Sequence, residues 1–169
     1  MDIRVIGEAP GKGRLLWQGQ VHACTLGRSG VARDKREGDG ASPVGCFPVR
    51  QVFYRPDRLG KPATRLPCTA LVRDDGWCDA SGDPAYNRKV RLPYPASAET
   101  MWRGDALYDI VVVLGHNDDP VVPGAGSAIF LHLMRDDGGP TEGCIGVPRA
   151  LALELIAALT PSDRICIEA

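Results

Sequence analysis

The sequence predicts a mainly β fold, because short apolar segments alternate with turns and only one long segment has the periodicity of a helix. There are 20 glycines and 14 prolines in 169 residues, and they separate segments rich in Val, Ile, Leu and aromatic residues. We predict strands over 3–6, 15–18, 21–26, 44–53, 70–73, 108–114, 128–133 and 164–168. Helices are therefore expected to lie at the periphery of a β core.

The one clear helix is predicted over 148–159, the segment PRALALELIAAL. Leu151, Leu155 and Leu159 recur at intervals of four and share one helix face. Pro148 suits a first turn, and Pro161 follows the predicted end. A second, short helix is predicted over 97–103, with Ser97 as its cap.

The length and charge indicate one domain over residues 1–169 and exclude some partners. A chain of this size can bury a single sizeable core. The 20 basic and 21 acidic residues give a net charge of −1, so charge gives no reason to expect nucleic acid as a partner. No apolar run is long enough to span a membrane. The N-terminus lacks a basic start followed by an apolar stretch, which predicts a cytoplasmic protein, or a periplasmic one if the N-terminus was trimmed.

The six cysteines are predicted to be reduced and to bind no zinc. They are Cys24, Cys46, Cys68, Cys78, Cys144 and Cys166, and none form a C-x-x-C pair. If Cys144 is a free nucleophile, the five that remain cannot all pair within the chain. Reduced thiols in a reducing compartment are the simpler interpretation.

Residues 127–146, SAIFLHLMRDDGGPTEGCIG, combine the residue types of a nucleophilic site. His132 ends a strand-like run, and alternation places it on the same face as Phe130. Cys144 follows a polar loop and a glycine, ahead of the predicted helix. A histidine can deprotonate a nearby thiol, and backbone N–H groups at Gly143 and Cys144 can hold an oxyanion. This predicts acyl transfer if the fold joins the two side chains. The alternative is that Cys144 is a small buried structural residue.

Two motifs in this order resemble the YkuD-type L,D-transpeptidases. The first runs from His132 to Thr141, Gly143 and Cys144, and it matches the family's histidine followed by Ser/Thr-x-Gly-Cys. The second, EGDGASPVGCFPV at 37–49, is similar to the family's Thr/Ser-Pro-x-Gly-x-Phe segment. The YNR and PGAGSAIFLH segments resemble the short single-domain branch of that family.

The resemblance implies a fold of β-sandwich or mixed sheets with long loops, and a thioester mechanism. Cys144 would be the nucleophile and His132 the base, oriented by a backbone carbonyl near Leu133, with no metal or organic cofactor required. The implied partner is a peptidoglycan stem peptide or muropeptide. An amine acceptor would give L,D-transpeptidation, and water would give L,D-carboxypeptidation of recycled tetrapeptides. A non-catalytic domain that binds peptidoglycan is the alternative of another class.

The expected substrate contacts come from three places in the chain. The irregular stretch 55–95 is predicted to form a wall or lid of the site through Trp77, Tyr86, Asn87 and Arg88. His116 and Asn117 follow an apolar strand, and Ser127 and Thr141 lie in the matching motifs. Two positions depart from many family members: Glu142 stands where they have histidine, and Gly146 where they have arginine. The group that takes the place of that arginine is left open.

Overall fold

The computed structural model describes residues 2–169, and it confirms a mainly β fold with one helix in that range. The helix α1 spans Arg149–Ala158. The strands are β1 Asp2–Ala9, β2 Lys12–Trp17, β3 Gln20–Thr25, β4 Val31–Ala32, β5 Ser42–Pro43, β6 Gly45–Tyr54, β7 Cys68–Ala70, β8 Asp75–Cys78, β9 Lys89–Arg91, β10 Ala98–Thr100, β11 Ile110–Leu114, β12 Phe130–Leu133, β13 Ile145–Val147 and β14 Arg164–Glu168.

Nine strands form one mixed sheet in the order β11-β12-β13-β3-β2-β1-β14-β6-β7. Most neighbours are antiparallel, but β12 runs parallel to β13 and β1 runs parallel to β14. A further pairing joins β6 to β11, so the strands from β11 to β6 form a continuous ring. In the β12–β13 pair, His132 lies opposite Gly146, two residues after Cys144.

Alternation along the strands divides the apolar residues into two clusters. Ile110, Val112, Leu131 and Leu133 point into the larger cluster, which α1 covers. Residues at the intervening positions of the same strands, such as Val111, Val113 and Phe130, point the other way into a second cluster. The other members of this cluster are Phe53, Leu71, Trp77, Met101, Tyr108 and Cys144. The predicted separation of Phe130 from Leu131 and Leu133 is confirmed. Phe130 and His132, which alternate with these leucines along β12, therefore lie on the side of the sheet where Cys144 lies.

The helix packs as its leucine spacing predicts, one residue inside the predicted bounds at each end. Pro148 is its N-cap and Leu159 its C-cap. Leu151 and Leu155 lie on the buried face. Arg149 donates to the buried carboxylate of Asp109 at 2.6 Å, which fastens the start of the helix to the segment before β11. Within residues 2–169, no helix is both long and apolar enough to cross a membrane.

The stretch 55–95 is more ordered than the sequence predicts. It contributes β8 and β9 to a three-stranded sheet in the order β10-β8-β9. The short helix predicted over 97–103 is wrong, because Ala98–Thr100 forms β10 and pairs with β8. Pairing across the sheet has overridden the weak local signal of a Ser cap.

The prediction that all six cysteines are reduced is also wrong. Cys46 and Cys166 lie opposite each other in the β6–β14 pair and form a disulfide. Cys24, Cys68, Cys78 and Cys144 are free. Disulfides persist mainly in oxidising compartments.

We expect the double replacement Cys46→Ser and Cys166→Ser to lower the free energy of unfolding by up to about 4–5 kcal/mol. The bond closes a loop of 120 residues, and chain entropy predicts a loss of this order. Urea denaturation followed by circular dichroism measures the change. Cys68→Ser is the matched control and should change stability far less, since Cys68 is a free, half-buried thiol in β7. Equal stability of the double variant and the wild type would contradict the expectation.

Candidate active site

One cavity of about 350 Å³ contains both Cys144 and His132. Its wall is built from four parts of the chain: the loop before β5, the end of β8 with β10, the segment before β11, and residues 127–144. The lining residues are Lys35, Glu37, Gly38, Asp79, Glu99, Arg103, Leu107, Tyr108, Ser127, Ala128, Ile129, His132, Arg135, Pro140, Thr141, Glu142 and Cys144. The Cys144 thiol and the His132 imidazole, which the sequence pairs, therefore line the same cavity.

His132 is held with one ring nitrogen occupied. Its Nδ1 lies 2.8 Å from the carbonyl oxygen of Leu133, and because a carbonyl only accepts, Nδ1 carries the proton. The neutral ring then has Nε2 as its proton acceptor. Tyr108 packs edge-on against the imidazole with ring centroids 5.3 Å apart. The carbonyl near Leu133 that the resemblance implies as the orienting group is present.

Cys144 is fixed by a tight turn ahead of β13. The turn requires glycine at 143, because φ is +139° and a Cβ would lie 2.8 Å from the carbonyl oxygen of Ala41. The Cys144 thiol donates to the carbonyl oxygen of Ala128 at 3.1 Å and accepts from the Phe130 N–H at 3.4 Å. The sulfur is therefore held against the strand that carries His132.

The hydroxyl of Thr141 closes the same turn. It donates to the carbonyl oxygen of Cys144 at 2.7 Å and accepts from the N–H of Gly143 at 3.1 Å. The prediction that the Gly143 N–H faces the cavity is wrong for this structure, since Thr141 occupies it. Nor does Cys144 directly precede the helix as predicted, because β13 lies between them.

Burial favours the neutral forms of the Cys144 thiol and the His132 imidazole. It raises the pKa of the Cys144 thiol to about 12, and the negative charge of Glu99 acts in the same direction. Burial also lowers the pKa of His132 to about 4, although the bond to Leu133 opposes this. At neutral pH the pair is thus a thiol and an imidazole.

Of the other predicted site residues, the structure brings Ser127 and Thr141 to the cavity wall. The Oγ of Ser127 is buried, with no hydrogen-bond partner in the described part of the chain. His116 and Asn117 instead shape the loop before β12: His116 Nε2 bonds the carbonyl oxygen of Ala125 at 3.0 Å, and Asn117 Nδ2 donates to that of Gly126 at 2.9 Å.

The four contacts predicted from the stretch 55–95 serve mainly to join loops. Asn87 accepts from Trp77 Nε1 at 3.0 Å and donates to the carbonyl oxygens of His116 and Asn117. The Tyr86 hydroxyl donates to Glu37 at 2.5 Å. Arg88 donates to the carbonyl oxygen of Asp118 at 2.9 Å, and with Trp77 and Asn87 it lines a separate pocket. None of these four lines the cavity that contains Cys144.

Sequence reasoning missed the charged wall of the cavity. Glu99, Arg103 and Tyr108 lie 24 or more residues before His132 and belong to none of the motifs. Tyr108 donates to the carboxylate of Glu99 at 3.1 Å. The sequence analysis placed Glu99 in a short helix over 97–103, whereas it lies in β10.

The structure also explains why glycine stands at 146. A Cβ there would collide with Thr25 Oγ1 and lie 3.2 Å from the Met134 Cα. An arginine at this position has no space in this packing. Among residues 2–169, no cluster of three or more His, Cys, Asp or Glu side chains is arranged to hold a metal ion.

Comparison with protein families identifies the class to which this fold and cavity belong. The model of the YkuD family, described as the L,D-transpeptidase catalytic domain, matches residues 9–167. The chain belongs to this family, whose activity is of the L,D-transpeptidase type on peptidoglycan. Searches of curated proteins and of solved structures found no match.

Proposed function

We propose that this protein is a cysteine-dependent acyltransferase that acts on peptidoglycan stem peptides, with its catalytic machinery in one domain. The observation that carries the proposal is the cavity shared by Cys144 and His132, in which His132 Nδ1 is occupied and Nε2 remains to accept a proton. The family assignment supplies the substrate class.

The reaction begins with transfer of the Cys144 proton to His132 Nε2. The sulfur attacks the carbonyl carbon that joins a diamino acid to the terminal D-amino acid. Because Thr141 holds the Gly143 N–H, the N–H of Cys144 is the backbone donor that we assign to the oxyanion. The C–N bond then breaks, His132 returns its proton to the departing amine, and a thioester remains on Cys144.

The thioester is resolved by a second nucleophile, which gives up its proton to His132 while the thiol re-forms. An amine gives transpeptidation and water gives carboxypeptidation. The Cys46–Cys166 disulfide favours an oxidising compartment, where assembled peptidoglycan strands supply amines. We therefore propose transpeptidation as the main activity.

Incubation with a stem tetrapeptide, with and without a free D-amino acid, tests the proposal by mass spectrometry. We expect exchange of the terminal D-residue for the added one. Loss of that residue without exchange would indicate carboxypeptidation. Binding of the peptide without any change in its mass would contradict catalysis and favour a peptidoglycan-binding domain.

A further inference from the structure

The cavity that contains Cys144 has an acidic side, formed by Glu99 and Asp79. The β8–β10 pair supplies it: Glu99 lies opposite Trp77, and Asp79 comes two residues after Trp77, just beyond the end of β8. Side chains alternate along strands, so both carboxylates lie on the same face of this small sheet. Both line the cavity.

The basic side chains of the cavity are already engaged with other acids. Lys35 pairs with Asp39, and Arg103 binds Asp105 through Nε at 2.8 Å and Nη2 at 2.7 Å. The remaining one, Arg135, pairs with Asp137 at 3.0 Å. Each is therefore held by another acid, although the charge of Arg103 also acts on Glu99.

The acidic side chains of the cavity differ in whether a basic side chain pairs with them. Glu142 pairs with Arg28 at 2.9 Å. Glu99 receives a hydrogen bond only from the neutral hydroxyl of Tyr108, and Asp79 Oδ1 is buried without a hydrogen-bond partner among residues 2–169. Buried polar atoms are normally satisfied, and those that are not point to a missing partner. Ser127 Oγ, a third atom of this wall, is unsatisfied in the same way.

We propose that Glu99, Asp79 and Ser127 form a recognition site for a primary ammonium group on the substrate residue whose carbonyl Cys144 attacks. This inference rests on the proposed function. An ammonium is a compact charge with three N–H donors, and this wall offers two carboxylates and a hydroxyl as acceptors.

The electrostatics of the cavity support this assignment. Burial raises the pKa of Glu99 to about 7, and the charges of Asp79 and Glu37 add to that effect, while Tyr108 and Arg103 oppose it. The charged form of Glu99 also raises the pKa of Cys144. A bound ammonium would stabilise the Glu99 carboxylate and offset its effect on the thiol. A substrate that carries the ammonium would then make the Cys144 thiol easier to ionise.

The test compares two tetrapeptides that differ only at the diamino acid in the third position. One carries a free side-chain amine and the other carries the same amine acetylated. For the wild type, we expect acetylation to lower kcat/KM roughly 10- to 100-fold, the size of a lost charged hydrogen bond. Equal kcat/KM for the two peptides would overturn the inference.

The variant Glu99→Gln completes a double comparison. It should lose a similar factor on the free-amine peptide and show little further loss on the acetylated one, because the same contact is already absent. A structural role for Glu99 would instead lower both by the same factor, and that result would overturn the inference. Glu154→Gln makes the same chemical change on the exposed face of α1 and should match the wild type.

Binding to Cys144→Ala separates this inference from the proposed function. Calorimetry with the two tetrapeptides needs no turnover, and tighter binding of the free-amine peptide would support the ammonium site even if no product forms. Should Glu99→Gln fail to fold, Asp79→Asn and the wild-type comparison provide the same test. Equal dissociation constants for the two peptides would reject the site, whatever the outcome for catalysis.

Discussion

Cys144→Ala is expected to lower turnover of the stem tetrapeptide by about 10⁴-fold or more, because the covalent step then has no nucleophile. The variant should still fold, since alanine removes only the sulfur atom from the second apolar cluster. Product formation measured by mass spectrometry gives the rate, and circular dichroism checks the fold.

Cys68→Ala is the matched control for this expectation. Cys68 is a free cysteine in β7, outside the cavity, so its replacement should leave turnover within about threefold of the wild type. If folded Cys144→Ala retained wild-type activity, Cys144 would not be the nucleophile. If both variants lost activity equally, the loss would reflect structure and not chemistry.

His132→Ala is expected to lower kcat by roughly 10²- to 10⁴-fold, the usual contribution of a positioned general base. The wild-type pH profile provides a second readout. Because burial lowers the pKa of His132 to about 4, its imidazole stays neutral well below the pH at which free imidazole is protonated. The base is lost only as the pH falls toward that value, so the acid limb that His132 gives to kcat/KM should lie below about pH 5.

His22→Ala is the control for a histidine outside the cavity, and it should keep turnover within about threefold of the wild type. In Glu99→Gln, which lacks the buried carboxyl whose pKa is about 7, an acid limb of kcat/KM near pH 6.5 would contradict a neutral, buried base. Unchanged kcat in folded His132→Ala would remove His132 from the mechanism altogether.

The parts of the fold that the sequence predicted are those with a strong local pattern. Alternation along β12 assigned Phe130 and Leu131 to opposite faces, and the leucine spacing of α1 located the helix to within one residue at each end. The presence of His132 and Cys144 in one motif predicted that they lie close together, and both line the same cavity. These signals are local, and packing in the folded chain agrees with them.

The parts that the sequence did not predict depend on contacts between distant segments. The Cys46–Cys166 disulfide joins residues 120 apart, and only the register of β6 and β14 reveals it. Glu99 reaches the cavity because β10 pairs with β8, which no motif indicates. The Gly143 N–H was expected to be free for the oxyanion because a helix was placed just after Cys144, but β13 lies between them and the Thr141 hydroxyl accepts from this N–H.

The central claim is that Cys144 carries the acyl group. Mass spectrometry of protein quenched during turnover tests this claim most directly. The protein is incubated with the stem tetrapeptide, quenched in acid and digested, so that a trapped thioester can be located. We predict an adduct that adds the mass of the tetrapeptide less that of the released D-amino acid, on the peptide that contains Cys144. An adduct on another residue, or product formation by folded Cys144→Ala, would contradict the account.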